Sequence, residues 1–122
     1  MPSKIIRLSQ MLFAATAIFI FKSCRYPDEC EKNRIIQRGD VNIAYNRCVS
    51  GDTTLFFIHG WGINKEYWKK QEDFFCKNYS VVAIDLPGFG TSGKNRSEYN
   101  FEEYADDVKT VIDELKLKMS LR

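Results

Sequence analysis

Apolar and polar residues are distributed along the chain in a way that predicts a strand hairpin followed by two further strands. Val41, Ile43 and Tyr45 recur at every second position, the period of a half-buried strand. A short strand over residues 35–37 precedes them across a turn at Gly39. Residues 54–58 and 81–84 are instead nearly continuous apolar runs, which are typical of strands covered on both faces in parallel sheets.

Two helices are predicted among these strands. Asn64 can cap a helix over residues 65–76, and Asn100, with Glu103 in the capping-box position, can cap a second. The apolar residues of the second helix form one stripe of a 3.6-residue period: Phe101, Tyr104, Ala105, Val108, Val111, Ile112 and Leu115. The order hairpin, strand, helix, strand, helix predicts an α/β fold with a parallel sheet, in a single domain.

The N-terminus has a different pattern. Lys4 and Arg7 precede residues 8–21, which contain no charge but are fewer than the roughly 20 apolar residues that span a membrane. Residues 1–24 therefore predict an export signal. Cys24 follows a small residue, which resembles a bacterial lipoprotein signal and makes Cys24 a lipidation candidate, although Lys22 departs from that pattern.

We therefore expect an exported protein, periplasmic or associated with the outer membrane. Ordinary signal cleavage, or retention of the apolar segment as a membrane anchor, remain the alternatives to lipidation. Residues 25–34 are polar and predict a tether between this segment and the domain.

Charge and cysteine content exclude two kinds of site. Three of the 18 Lys and Arg residues lie before Cys24, which leaves 15 against 16 acidic residues. No basic cluster stands out, so a nucleic-acid partner is not expected. With one His and no Cys-x-x-Cys, no metal site is expected either. Cys30 and Cys48 flank the hairpin and would pair if its ends are close; otherwise they and Cys76 are idle or buried thiols.

Two glycine-containing loops directly follow the two apolar strands. They are His-Gly-Trp-Gly at residues 59–62 and Asp-Leu-Pro-Gly-Phe-Gly-Thr-Ser at residues 85–92. Ligands of open α/β sheets bind at this end of the strands. Both motifs at this separation, each behind a strand, resemble the α/β-hydrolase family over residues 35–117. Residues 59–68 resemble in particular the esterases that cleave pimeloyl-carrier-protein methyl ester.

The resemblance implies a role for each loop. The backbone N–H of Trp61 would form one arm of an oxyanion hole, and Trp61 and Trp68 would line an acyl pocket or simply pack. Architectural roles fall to His59, Gly60, Gly62, Asp85, Gly88, Gly90 and Ser92. In this family the catalytic histidine lies far downstream, after the nucleophile and the acid, so His59 is not the base. The implied substrate is a small acyl ester or thioester, and no cofactor is implied.

The nucleophile motif of the family, Gly-x-Ser-x-Gly, is absent from the 122 residues. We therefore expect an N-terminal fragment of a hydrolase domain that breaks off at residues 118–122 and does not turn over substrate as it stands. We also expect the strand at 54–58 to have an unpaired, aggregation-prone edge.

Two alternatives remain open at this point. A non-catalytic exported lipoprotein that serves as a binding module would also lack the catalytic residues. A nucleotide-binding protein is the minor alternative, because Gly88 to Lys94 matches Gly-x-x-x-x-Gly-Lys. The magnesium-binding Ser or Thr of that motif is, however, replaced by Asn95.

Overall fold

The computed structural model describes residues 30–118, which form a four-stranded sheet with helices against it. The elements in chain order are β1 (Cys30–Arg38), β2 (Val41–Cys48), β3 (Thr54–Ile58), a 3₁₀ helix (Lys65–Trp68), α1 (Lys69–Phe75), β4 (Ser80–Ile84) and α2 (Phe101–Glu114). The strand order is β1-β2-β4-β3. The β2 strand pairs antiparallel with both β1 and β4, whereas β3 and β4 are parallel.

The predicted α/β architecture is confirmed, and several element boundaries agree closely with the sequence patterns. The β3 strand has the predicted limits, and β4 begins one residue earlier. Asn64 caps the first helical segment through its bond from the Glu66 N–H, although that segment opens as a 3₁₀ turn. Asn100 caps α2, accepting from the Glu103 N–H at 2.9 Å.

The tether predicted for residues 25–34 is wrong over its second half. The β1 strand begins at Cys30, five residues before the predicted start, and its pairing with β2 shifts register between Glu31 and Arg34. Asn33 takes a positive φ of 52° there, and its N–H donates to the Asn46 side chain at 3.1 Å. These residues are polar because β1 is an edge strand. The predicted export signal and Cys24 lie outside the described residues.

Apolar side chains pack on both faces of the sheet. One cluster contains Ile43, Val82 and Ile84, covered by α2 through Val111. The other contains Cys48, Cys76 and Val81, with Phe57 and Phe75 against it. Every residue of β4 is buried, so this strand is the centre of the described domain. Among residues 30–118, no helix is long and apolar enough to cross a membrane.

The cysteines confirm the predicted pairing. Cys30 and Cys48 form a disulfide between facing residues of β1 and β2, with their Cα atoms 4.2 Å apart. Cys76 is a free thiol in the same cluster of side chains as this disulfide. Burial raises the pKa of the Cys76 thiol, which keeps it protonated and unreactive.

Candidate active site

Two loops meet where the parallel strands β3 and β4 end. Ile58 and Ile84 are register partners, so the segments that follow them start side by side. We call residues 59–62 the HGWG turn and residues 85–92 the DLPG loop. The sequence predicted that both occupy the carboxyl end of the sheet, and the structure places them there.

His59 is buried and ties the two loops together through its imidazole ring. Its Nε2 accepts a hydrogen bond from the Leu86 N–H at 3.0 Å. Since that nitrogen accepts, the proton of the neutral ring is on Nδ1, which donates to the Gly60 carbonyl at 2.8 Å. Both ring nitrogens are therefore engaged with backbone groups. This is the geometry of a loop-shaping residue and leaves no nitrogen free to serve as a base.

Trp61 lies at the tip of the HGWG turn. Within residues 30–118 its backbone N–H has no hydrogen-bond partner. The residue is 86% exposed, and its indole lies edge-on to the Phe89 ring with 5.2 Å between the ring centroids. The next residue, Gly62, has a φ of 77°, a conformation that favours glycine. An N–H without a partner in a turn suits an oxyanion donor, and that role stays a prediction. Trp68 instead stacks on Phe57 at 5.1 Å, as a packing residue does.

Asp85 begins the DLPG loop and is surrounded by donors. Its carboxylate accepts from both the backbone N–H and the Nζ of Lys65, at 2.7 and 2.8 Å. It also accepts from the N–H and hydroxyl of Thr91, at 2.8 and 3.0 Å. Burial alone would raise the pKa of Asp85, but the bonds from Lys65 and Thr91 outweigh it and hold that pKa below its ordinary value.

Lys65 is the site residue that the sequence did not reveal. Its side chain is 2% exposed and forms a buried ion pair with Asp85, whose side chain is 1% exposed. A lysine directly after a helix N-cap normally extends into solvent, and its partner lies 20 residues further along the chain. No local pattern connects the two residues.

The remaining residues of the DLPG loop are fixed by close packing. Gly90 has a φ of 51°, and a Cβ there would overlap the Asp85 carboxylate. A Cβ on Gly88 would come within 2.9 Å of the Tyr99 ring. The Ser92 hydroxyl donates to the Asp85 carbonyl at 2.5 Å and accepts from the Ala44 N–H at 2.8 Å. Ser92 is therefore committed to loop structure and is not an available nucleophile.

The conformation of residues 88–100 can be compared with that of a phosphate-binding loop, whose sequence motif Gly88 to Lys94 matches. Gly88 N–H donates to the Gly93 carbonyl at 2.8 Å, so the loop closes on itself. The residues after Lys94 are not helical, and α2 begins only at Phe101. A phosphate-binding loop instead leads into a helix whose N-terminal N–H groups face the phosphates.

An open apolar cavity of about 580 Å³ lies in front of the two loops. Its lining includes His59, Trp61, Leu86, Phe89, Tyr99 and Tyr104. The Tyr104 hydroxyl is buried without a hydrogen-bond partner in the described part of the chain, and burial raises its pKa. Such a surface, with Trp61 in its lining, suits the acyl part of a substrate.

Comparison with known proteins identifies the family. The family model for the alpha/beta hydrolase fold matches residues 53–118, more than half of the chain. This chain belongs to the α/β-hydrolase family. It is 39% identical over 83 residues to a bifunctional esterase/perhydrolase of Acinetobacter calcoaceticus, covering 66% of this chain and 30% of that protein. It is 31% identical over 68 residues to a pimeloyl-[acyl-carrier protein] methyl ester esterase of Sodalis glossinidius, covering 56% and 26%.

A structural neighbour supports the same assignment. Est816, described as an N-acyl homoserine lactone degrading enzyme, superimposes with a TM-score of 0.67 at 30% identity, over 71% of this chain and 33% of that one. The chain spans 30% and 26% of the two curated relatives above, and 15% of other curated relatives that it matches.

Proposed function

We propose that this chain supplies the oxyanion side of a hydrolase site that cleaves a carboxylic ester or thioester. The observation that carries the proposal is that Trp61, whose backbone N–H is unpaired within residues 30–118, lines an apolar cavity. A donor held in place before the reaction stabilises the oxygen that gains negative charge in the tetrahedral intermediate. The esterase names of the two sequence relatives support this reaction class.

The 122-residue chain alone is expected to be inactive. Within residues 30–118, both His59 nitrogens and the Ser92 hydroxyl are already engaged, so no serine–histidine pair can form there. An N–H donor without a nucleophile stabilises an intermediate that is never formed. The nucleophile, acid and base of the proposed reaction therefore have to come from other residues.

A chimera tests the proposal. The matched 83-residue segment of this chain replaces its counterpart in the Acinetobacter esterase, and hydrolysis of a p-nitrophenyl ester is measured. We expect the chimera to be active and Trp61→Pro, which removes the N–H, to lower kcat about 10²- to 10³-fold. Trp61→Ala retains the N–H and is the matched control, with kcat within about tenfold of the chimera.

Two results would contradict the proposal. One is a folded, soluble chimera that hydrolyses no ester while the parent esterase does. The other is equal loss of kcat in Trp61→Pro and Trp61→Ala, because the indole rather than the N–H would then be responsible. Circular dichroism of each variant separates either result from misfolding.

We also propose that the protein is exported and lipidated at Cys24. The Cys30–Cys48 disulfide supports export, since such bonds persist in oxidising compartments. Expression in a bacterial host with radiolabelled palmitate should label the chain, and Cys24→Ala should abolish the label. Cys76→Ala, which alters a buried thiol, is the control and should retain it. Unlabelled wild-type chain that remains in the cytoplasm would refute both parts of this proposal.

A further inference from the structure

The segment from His59 to Lys65, which contains the HGWG turn, is attached to the DLPG loop at two points, on either side of Trp61. Before Trp61, the His59 ring accepts from the Leu86 N–H. After it, Lys65 donates to the Asp85 carboxylate. Leu86 and Asp85 are consecutive, so both ends of the segment from His59 to Lys65 are fixed to two neighbouring residues of the DLPG loop.

The second attachment depends on the Lys65 side chain. Its backbone N–H binds Asp85 Oδ1 while its Nζ binds Asp85 Oδ2, so one residue holds both oxygens of one carboxylate. Nζ also donates to the Thr91 hydroxyl at 3.0 Å, which links the far end of the DLPG loop to the same point. Without Nζ, Asp85 would keep the bond from the Lys65 N–H and the two from Thr91, but it would lose the ammonium that pairs with Oδ2.

We propose that Lys65 is a positioning residue that fixes the direction of the Trp61 N–H through its buried ion pair with Asp85. The backbone segment between the two attachments contains Gly62, whose φ of 77° lies in the region that favours glycine. Without the ion pair, the second attachment would be reduced to the single bond from the Lys65 N–H, and the Trp61 N–H would sample several directions. The part of this inference that concerns catalysis rests on the proposed function, whereas the part that concerns loop order does not.

Nitrogen-15 relaxation of the labelled chain tests loop order directly, without any activity. In the wild type we expect order parameters of about 0.85 for the amides of residues 60–63, as for rigid backbone. In Lys65→Met we expect values below about 0.6 there, with unchanged values in β4 and α2. The control is Lys32→Met, which removes another lysine–carboxylate pair, with Glu72 at 2.6 Å, away from the turn. It should leave residues 60–63 rigid.

The double variant Lys65→Met/Asp85→Asn covers the case in which Lys65→Met fails to fold because Asp85 is left charged and buried. It removes the ammonium and the carboxylate charge together, and we expect the same loss of order at residues 60–63. Unchanged order in either folded variant overturns the proposal. Failure of both variants to fold, while Lys32→Met folds, also overturns it in favour of a purely global role in stability.

The chimera provides the catalytic readout. Lys65→Met in the active chimera should lower kcat about tenfold while KM changes less than twofold, because an oxyanion donor acts in the transition state. An inactive chimera refutes the proposed function but leaves the relaxation result to decide on Lys65. A rigid turn in Lys65→Met, or a loss expressed in KM alone, refutes the positioning role while the hydrolase proposal stands.

Discussion

The two outer strands of the sheet differ in every property that protects a strand edge. The β1 strand carries charged side chains, an irregular register between Glu31 and Arg34, and a disulfide at its first residue. The β3 strand reads Thr-Leu-Phe-Phe-Ile, without a charge, and within residues 30–118 it pairs on one side only. Natural edge strands use charges and irregular pairing to avoid association with other strands.

The comparison shows that β1 has the sequence of a true edge and β3 that of an interior strand. Phe56 packs on the cluster beneath α2, and Phe57 packs on the cluster beside α1, so β3 presents apolar side chains to both faces. Its residues are nevertheless only partly buried, whereas all five residues of β4 are buried. This is the pattern of an interior strand that, within residues 30–118, has one unpaired edge.

The buried Lys65–Asp85 pair, away from both edge strands, should show the largest effect on stability. Asp85→Asn leaves the Lys65 ammonium buried without its carboxylate, and we expect the free energy of unfolding at pH 7 to fall by about 3–5 kcal/mol. The edge control is Glu31→Gln, which loses only an exposed pair with Arg34 at 3.6 Å and should change stability by less than about 0.5 kcal/mol. Urea denaturation measures both. Equal effects would mean that burial does not distinguish these pairs.

The same carboxylate predicts the pH dependence of stability. Because the pKa of Asp85 is lowered in the folded state, its contribution is complete above the unfolded value of 3.8. It should be lost as the pH falls below 3.8 and through the lower folded-state pKa. Denaturation between pH 2 and 6 should show this slope in the wild type and a shallower slope in Asp85→Asn. Parallel slopes would assign the acid transition to other carboxylates.

The disulfide should have the next largest effect, at the β1 edge. Replacing both cysteines by serine, Cys30→Ser/Cys48→Ser, should lower the free energy of unfolding by about 3 kcal/mol, because the bond closes a loop with a sequence separation of 18 residues. A reducing agent should give the same loss in the wild type and none in the double variant. If reduction destabilises both proteins equally, the effect does not come from this bond.

Local patterns predicted much of the fold. The limits of β3 and the caps at Asn64 and Asn100 depend on residues within one turn or one strand of each other. The predicted stripe of α2 holds at Val111 but not at Phe101, which is 89% exposed. The paired loops were also predictable, since each motif directly follows an apolar run. These features follow from the spacing of apolar residues, from helix-capping residues and from the positions of glycines, all of which can be read directly from the sequence.

The parts that were not predictable depend on distant partners. Lys65 and Asp85 are 20 residues apart, and Arg38 and Asp107 are 69 apart, so neither ion pair has a local signature. Residues 30–34 were predicted as a tether because an edge strand with solvent on one side has a polar sequence. Only the pairing with β2, which brings Cys30 to Cys48, distinguishes a polar edge strand from a tether.

A pair of matched substitutions tests the difference between the edges directly. Ile58 on β3 and Ile35 on β1 are similarly exposed, at 43% and 51%. We expect Ile58→Lys to weaken self-association of the chain about tenfold, equivalent to about 1.4 kcal/mol, because a charge on an open edge opposes strand pairing. Ile35→Lys should have little effect, since that edge is already charged. Sedimentation velocity over a range of concentrations measures both, and equal effects would refute the comparison.

The smallest expected effect concerns the contact between the β1 edge and α2. Arg38 donates to Glu103 at 2.7 Å, Asp106 at 3.1 Å and Asp107 at 3.1 Å, and the bond to Glu103 is the main reason that its pKa is raised. Arg38→Met should lower the free energy of unfolding by only about 1 kcal/mol, because the guanidinium is partly exposed and surface ion pairs contribute little.

Arg96 limits the loss further, since it keeps its two bonds of 2.7 Å to Asp107. Added salt should reduce the difference between Arg38→Met and wild type, because salt screens exposed pairs more than buried ones. Arg34→Met is the control on the same strand and should change stability by less than about 0.5 kcal/mol. A loss above about 3 kcal/mol in Arg38→Met would show that the buried charge of Asp107 needs Arg38 as its partner. The contact between α2 and the β1 edge would then behave as a buried ion pair, like that of Lys65 and Asp85.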